Sequence, residues 1–220
     1  MTMKRRFLLH SLPVLAAAAM GLRVGAAWAA DEAPDALIKR LTQEAIDLIQ
    51  TDKDVQSGDA SRILALVERK VMPHVNFQRM TASAVGPAWR RATPEQRAKL
   101  QAEFKTLLVR TYSGAMSQSQ NLSFSIKPMR SSPEDKEVIV RTLIKGRGDP
   151  VQLDYRLEKT PGEGAGWKVY NLNVLGVWLV DTYRSQFSAE INAKGIDGLI
   201  ATLSARNKSN AFGDAKPTKG

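Results

Sequence analysis

The sequence predicts an α+β domain, with helices first, then an antiparallel sheet, then helices that close over it. Three observations carry this prediction. Apolar residues recur at helical spacing from Leu37 to Ala115, the period changes to two at Asn121, and Ser-, Gly- and Pro-containing turns divide the region beyond into short strands.

The first helix is read from Leu37, Ile38, Leu41, Ala45, Leu48 and Ile49, after a start at Pro34-Asp35. Ser57-Gly58 breaks it, and Asp59 is the cap of a second helix that carries Ile63, Leu64, Val67 and Val71 and stops near Pro73. A third, short segment starts at Asn76, presents Phe77, Met80 and Ala84, and ends at Gly86-Pro87. Thr93-Pro94-Glu95-Gln96 is a capping box, with Thr at N-cap, Pro at N1 and Gln at N3. It opens a helix with Leu100, Phe104, Leu107, Leu108 and Thr111 on one side, expected to end near Met116.

Four strands come next. They are marked by Leu122, Phe124 and Ile126; by Val138, Val140 and Thr142; by Leu153, Tyr155 and Leu157; and by Trp167 to Val174. The turn chemistry between them lies at Ser131-Ser132-Pro133, Gly146 to Pro150 and Pro161 to Gly164, which makes an antiparallel meander. A closing helical region is expected from about Gly176 to Ala193 and again from Ile196 to Ala205, with a polar, disordered tail over 207–220.

The first 29 residues read as a cleaved export signal. Lys4, Arg5 and Arg6 form a basic start, Phe7 to Leu22 an apolar stretch, and Ala27-Trp28-Ala29 a small-residue cleavage site. Arg5-Arg6 is compatible with either the Sec or the twin-arginine route. The stretch is short for a membrane span and is broken by Pro13, which argues against an uncleaved anchor. Removal leaves one domain, residues 30–206 plus the tail, large enough to build its own core. The chain has no cysteine, so this exported domain is expected to rely on burial rather than disulfides.

The chain holds 32 Lys and Arg against 22 Asp and Glu; with the four basic residues of the leader removed, 28 face 22, a net +6. That modest excess comes without a dense basic run interleaved with aromatics, and together with export it excludes nucleic acid as a partner. Catalytic constellations are scarce. The mature chain has one histidine, His74 beside Pro73, and no G-x-S-x-G elbow accompanies it. Zinc-type sites built on His and Cys are ruled out by count. The acidic pairs Asp31/Glu32, Asp52/Asp54 and Glu134/Asp135 fall in expected loops or termini and read as solubilising charges. Gly162 to Gly166 lacks the Lys-Ser/Thr and the following helix of a phosphate loop, and reads as a hairpin turn. The residues give no enzyme and leave two readings: an apolar cavity for lipid, or an apolar groove for a protein partner.

Four stretches choose between them. PHVNFQRMTASAVGPAW (73–89), LLVRTYSGAM (107–116), WKVYNLNVLGVWLVDTYRSQF (167–187) and GIDGLIATLSARN (195–207) resemble the MlaC family, also described as toluene-tolerance auxiliary transport proteins. The likeness runs over nearly the whole mature chain and in order. Trp178 departs from it, because the family pattern carries a small residue such as serine there.

The resemblance implies a periplasmic carrier of glycerophospholipid. Such a carrier works between an outer-membrane lipoprotein–porin complex and an inner-membrane ABC transporter with MCE-domain subunits. The implied fold is partly NTF2-like, with a twisted four-stranded sheet. It needs no cofactor, because phospholipid is its cargo. Two tails of about 15 methylenes each lose roughly 24 kcal/mol on entering water bare, so they must be sheathed, whereas the headgroup can stay wet.

Periodicity and position in the family pattern together give candidate cavity walls. From the helices these are Val75, Phe77, Met80, Val85, Trp89, Leu107, Leu108 and Tyr112. The sheet supplies Phe124, Ile126, Val140, Tyr155, Val169 and Val174, and the closing segment Val177, Leu179 and Tyr183. Arg141, Arg156 and Arg184 are candidates for the headgroup or a partner surface, where a guanidinium can meet a phosphate bidentately.

Overall fold

The computed structural model describes residues 31–117, 121–146 and 148–209. The expected leader, and the expected tail from residue 210 onward, lie outside the described residues. Six α-helices and five strands are described: α1 (Pro34–Thr51), α2 (Lys53–Gln56), α3 (Ala60–Lys70), α4 (Phe77–Val85), α5 (Pro94–Ser117), β1 (Ser123–Ile126), β2 (Glu137–Lys145), β3 (Val151–Lys159), β4 (Trp167–Val174), β5 (Val177–Trp178) and α6 (Leu179–Lys208). Short 3-10 turns at Met72–His74 and Gly86–Arg90 bracket α4.

The start signals act as their residue types dictate. Asp59 accepts from the N–H groups of Ser61 and Arg62, and Asn76 from that of Arg79. The Thr93 N–H donates to Gln96 Oε1 at 3.0 Å, while the Gln96 N–H donates to Thr93 Oγ1 at 3.2 Å. Asp52, expected in a loop, instead caps the short α2 by accepting from Asp54 and Val55.

The sheet is an antiparallel meander in the order β1-β2-β3-β4-β5, so it has five strands rather than the expected four. The fifth is only two residues long. It folds back on β4 through the Leu175-Gly176 turn, with pairs Val174–Val177 and Asn173–Trp178, so the closing helix starts at Leu179 rather than near Gly176. β4 also carries a bulge: Leu157 pairs with Val169 but Arg156 with Asn171, which leaves Tyr170 as the extra residue. The bulge shifts the phase of β4, so that Val169 and Leu172 fall on the same face.

α6 bends at Gly195, where φ is 72° and ψ −175°. Beyond the bend it reaches Lys208 and covers the first two residues of the expected tail. Asn207 is buried there and donates to the Glu103 carbonyl at 2.9 Å and to the Glu103 carboxylate at 2.6 Å.

Candidate functional site

The apolar interior divides into separate cores. The helical core centres on Phe104, which is fully buried among Leu100, Leu107, Leu199 and Leu203. Its ring lies 5.7 Å from Phe77, 4.9 Å from Tyr183 and 5.2 Å from Phe187, centroid to centroid; the two closest are edge-on, the favoured aromatic geometry. A second core lies on one face of the sheet, where Leu37 and Ile38 of α1 pack on Val138, Val140, Leu157, Trp167 and Val169. A third, smaller group joins α2, α3 and α5 through Val55, Ile63 and Val109.

The first two cores meet at a seam, and each has a margin of half-buried apolar side chains. Val75 packs against both. It is held beside β4 by a single parallel bridge to Val169, with the Asn76 N–H donating to the Val169 carbonyl at 2.8 Å. The margin of the helical core includes Phe77, Trp89, Leu108 and Tyr112, together with Leu172 and Val174 from β4. The margin of the sheet core includes Leu41, Ile126 and Tyr155. One cross-strand row, Val140–Tyr155–Leu172, passes from the sheet core into the helical core, so the division falls between β3 and β4.

Two phenols lie along this seam. The Tyr155 phenol lies near the Thr42 and Thr142 hydroxyls, and burial pushes its pKa upward. Burial pushes the Tyr112 phenol up to about 12, with Tyr183 adding to the shift. Both phenols are neutral at physiological pH, so the seam acquires no charge from them. On the outer flank of α1 an open cleft of about 360 Å³ lies between α1 and β1, lined by Ala36, Lys39, Arg40, Gln43, Glu44 and Phe124. That volume is at the low end of the ~300–1,000 Å³ typical of ligand pockets. Phe124 and Ile126 are two apart on β1, so the cleft continues the face of the sheet that carries the seam.

The expected wall residues separate by depth. Met80, Val85, Leu107, Leu179 and Tyr183 are fully buried in the helical core, and Val140 and Val169 in the sheet core. Phe77, Trp89, Leu108, Tyr112 and Val174 are half-buried against the helical core, Ile126 and Tyr155 against the sheet core, and Val75 against both. Phe124 lies in the cleft, and Val177 is half-buried on β5. The arginines are not gathered there. Arg141 and Arg156 follow Val140 and Tyr155 in the chain, and strand alternation turns them to the opposite face. On that face Arg141 Nε lies 4.0 Å from the Asp154 carboxylate, and the Arg156 guanidinium stacks 4.0 Å from the Trp178 ring. Arg184 is exposed on α6, its guanidinium against Gly86. Leu41 and Leu172 lie at these margins although neither is among the expected wall residues; the phase slip in the W-K-V-Y-N-L-N-V run is the signal for Leu172.

His74 ends the 3-10 turn before Val75, and burial and the nearby Arg40 lower its pKa. Among the described residues no cluster of His, Asp or Glu could hold a metal ion, and no helix is long and apolar enough to cross a membrane.

A five-stranded meander clasped by α1 on one face and joined through an apolar seam to a helical core defines a class of α+β proteins. The chain belongs to the MlaC family: the MlaC protein model matches residues 39–205, well over half of the chain. It is similar to the phospholipid-binding protein from Ralstonia solanacearum, solved in complex with a phospholipid. The two share 40% identity with a TM-score of 0.74, over 79% of this chain and 96% of that one. It is also 23% identical to the intermembrane phospholipid transport system binding protein MlaC of Haemophilus influenzae, over 79% of this chain and 82% of the relative. The toluene tolerance protein ttg2D of Pseudomonas putida is 25% identical over 76% of this chain and 77% of its own.

Proposed function

We propose that this chain is a periplasmic carrier that binds glycerophospholipid by its acyl tails in the seam between the helical and sheet cores. It passes that lipid between an outer-membrane lipoprotein–porin complex and the MCE-domain subunit of an inner-membrane ABC transporter. The observation that carries the reading is the seam itself, where two closed cores with half-buried apolar margins meet at Val75. Parting the two cores along that line exposes apolar surface on both margins, which acyl chains can cover. The phospholipid bound to the Ralstonia solanacearum relative supports the same cargo.

Under this reading the fully buried members of the expected set stand behind the wall, and the half-buried ones touch the tails. The headgroup remains in water. Arg184, away from the seam, serves a partner surface instead, and Arg141 and Arg156 lie on the opposite face of the sheet. Carriage of this kind needs no catalytic group and no cofactor. Export to the periplasm by the Sec or twin-arginine route completes the reading.

Native mass spectrometry of the purified mature chain tests it. Phospholipid co-purifying with the protein, and uptake of labelled phospholipid from vesicles, are the expected results. A chain that carries no lipid and takes up none overturns the reading. If it instead binds a partner helix in the same apolar line, it is an interaction module.

A further inference from the structure

The turn between β4 and β5 is costly for its sequence. A two-residue hairpin with positive φ at both positions favours Asn-Gly or Gly-Gly. Here the first residue is Leu175, with φ 53°, followed by Gly176 with φ 90°. A leucine enters that region against its Cβ, where asparagine or glycine would be relaxed. The residue is also 56% exposed; among the described residues only Val71, at 42%, joins it as an exposed large hydrophobic. The tip is pinned rather than loose. The Leu175 N–H donates to the Gln152 carbonyl at 3.0 Å, and the Gly176 N–H to Asn173 Oδ1 at 2.8 Å.

Three residues on, Trp178 lies at the edge of the outer sheet face. A cross-strand row runs Arg141–Asp154–Asn173–Trp178, and Arg156 stacks on the indole. Asp154, the one acid in the row, is buried; its oxygens accept from Gln152 at 3.1 and 2.9 Å, and its carboxylate lies 4.0 Å from Arg141 Nε. On this face Arg141 is exposed and Arg156 half-buried; the exposed acids nearest in the chain are Asp181 and Glu137, the latter close enough to Arg156 to feel its charge. An apolar tip, an indole and guanidinium groups are the combination that settles at a lipid–water interface: the leucine enters the acyl boundary, the indole sits at headgroup level and the cations meet phosphates.

We infer that Leu175, Trp178 and Arg156, with Arg141 beside them, form a contact point for the surface of an anionic phospholipid bilayer. It gives a role to Trp178, the residue that departs from the family pattern. The inference stands beside the carrier reading and does not need the seam to hold lipid.

Flotation of the full mature chain with vesicles tests it. The wild type floats with vesicles containing phosphatidylglycerol, floats less with pure phosphatidylcholine, and is released as salt rises. Leu175→Asn relaxes the turn while removing the apolar tip. It is expected to melt no lower than wild type, to keep its bound lipid by native mass spectrometry, and to bind vesicles about ten-fold or more weakly. Arg156→Gln lowers binding to the anionic vesicles and leaves binding to phosphatidylcholine unchanged. Leu175→Asn floating as wild type overturns the proposal. So does a wild type that floats only when a membrane protein is reconstituted, which assigns the patch to that protein. Loss of co-purified lipid from every variant, wild type included, counts against the carrier reading and leaves the flotation result standing.

Discussion

Val75 and Val169 meet in a single parallel bridge, and Val75 is the side chain shared by the two apolar cores. The bridge fastens the segment before α4 to the free edge of β4, so the helical bundle hangs on the sheet at that edge.

Filling the seam should block lipid without unfolding the domain. Leu108 is half-buried at the margin of the helical core, so Leu108→Trp is expected to lower lipid per protein by native mass spectrometry with little change in melting temperature. Val140 lies in the same region but is fully buried. Val140→Trp is expected to overpack the sheet core and cost about 1–3 kcal/mol or more, read by chemical denaturation.

The helical core should fail at Phe104. Three aromatic rings surround it and it has no exposed surface, so Phe104→Ala leaves a cavity worth about 3–5 kcal/mol in an unfolding titration.

Stability should decline in acid partly through Glu137. A hydrogen bond from Arg79, at 2.5 Å, is the main cause holding its carboxyl below the ordinary range, and Tyr170 donates to it at 3.0 Å. A carboxyl with a lowered folded-state pKa stabilises the fold above the ordinary glutamate range and loses that contribution as pH falls through the folded value. Half of the Glu137 side chain faces solvent, so the effect stays below about 1 kcal/mol. The melting-temperature difference between wild type and Glu137→Gln is expected to be present at pH 7 and to close toward pH 3.

The reciprocal bonds between Thr93 and Gln96 should be worth about 1 kcal/mol to the start of α5. Thr93→Ala is expected to lose that amount in thermal melts, while Thr93→Ser keeps most of it.

The helix starts at Asp59, Asn76 and Thr93 are legible in the sequence because each rests on one side chain meeting backbone N–H groups two or three residues on, a purely local interaction. β5 is not, because two residues carry no period and Leu175-Gly176 does not resemble a hairpin turn. α2 is hidden because Asp52 and Asp54 read as surface charge when one of them is a cap. The site is legible in composition but not in depth: spacing identifies an apolar face, whereas the difference between Val140 and Leu108 depends on contacts far away in the chain. The placement of Arg141 and Arg156 is contained in the strand period itself, since neighbours on a strand cannot share a face with Val140 and Tyr155.

The bend in α6 is a matter of handedness. A side chain at Gly195 would meet nothing within 4 Å, so space does not bar one there. Its φ of 72° with ψ of −175° is the mirror image of an ordinary extended conformation, closed to L-residues and open to D-residues. A D-alanine introduced by chemical ligation should keep the bend, and with it Leu199 and Leu203 against Phe104. L-alanine, with the same atoms, should straighten the helix and pull them away. The direction in which this helix returns to the core is encoded in the absence of a stereocentre at one position.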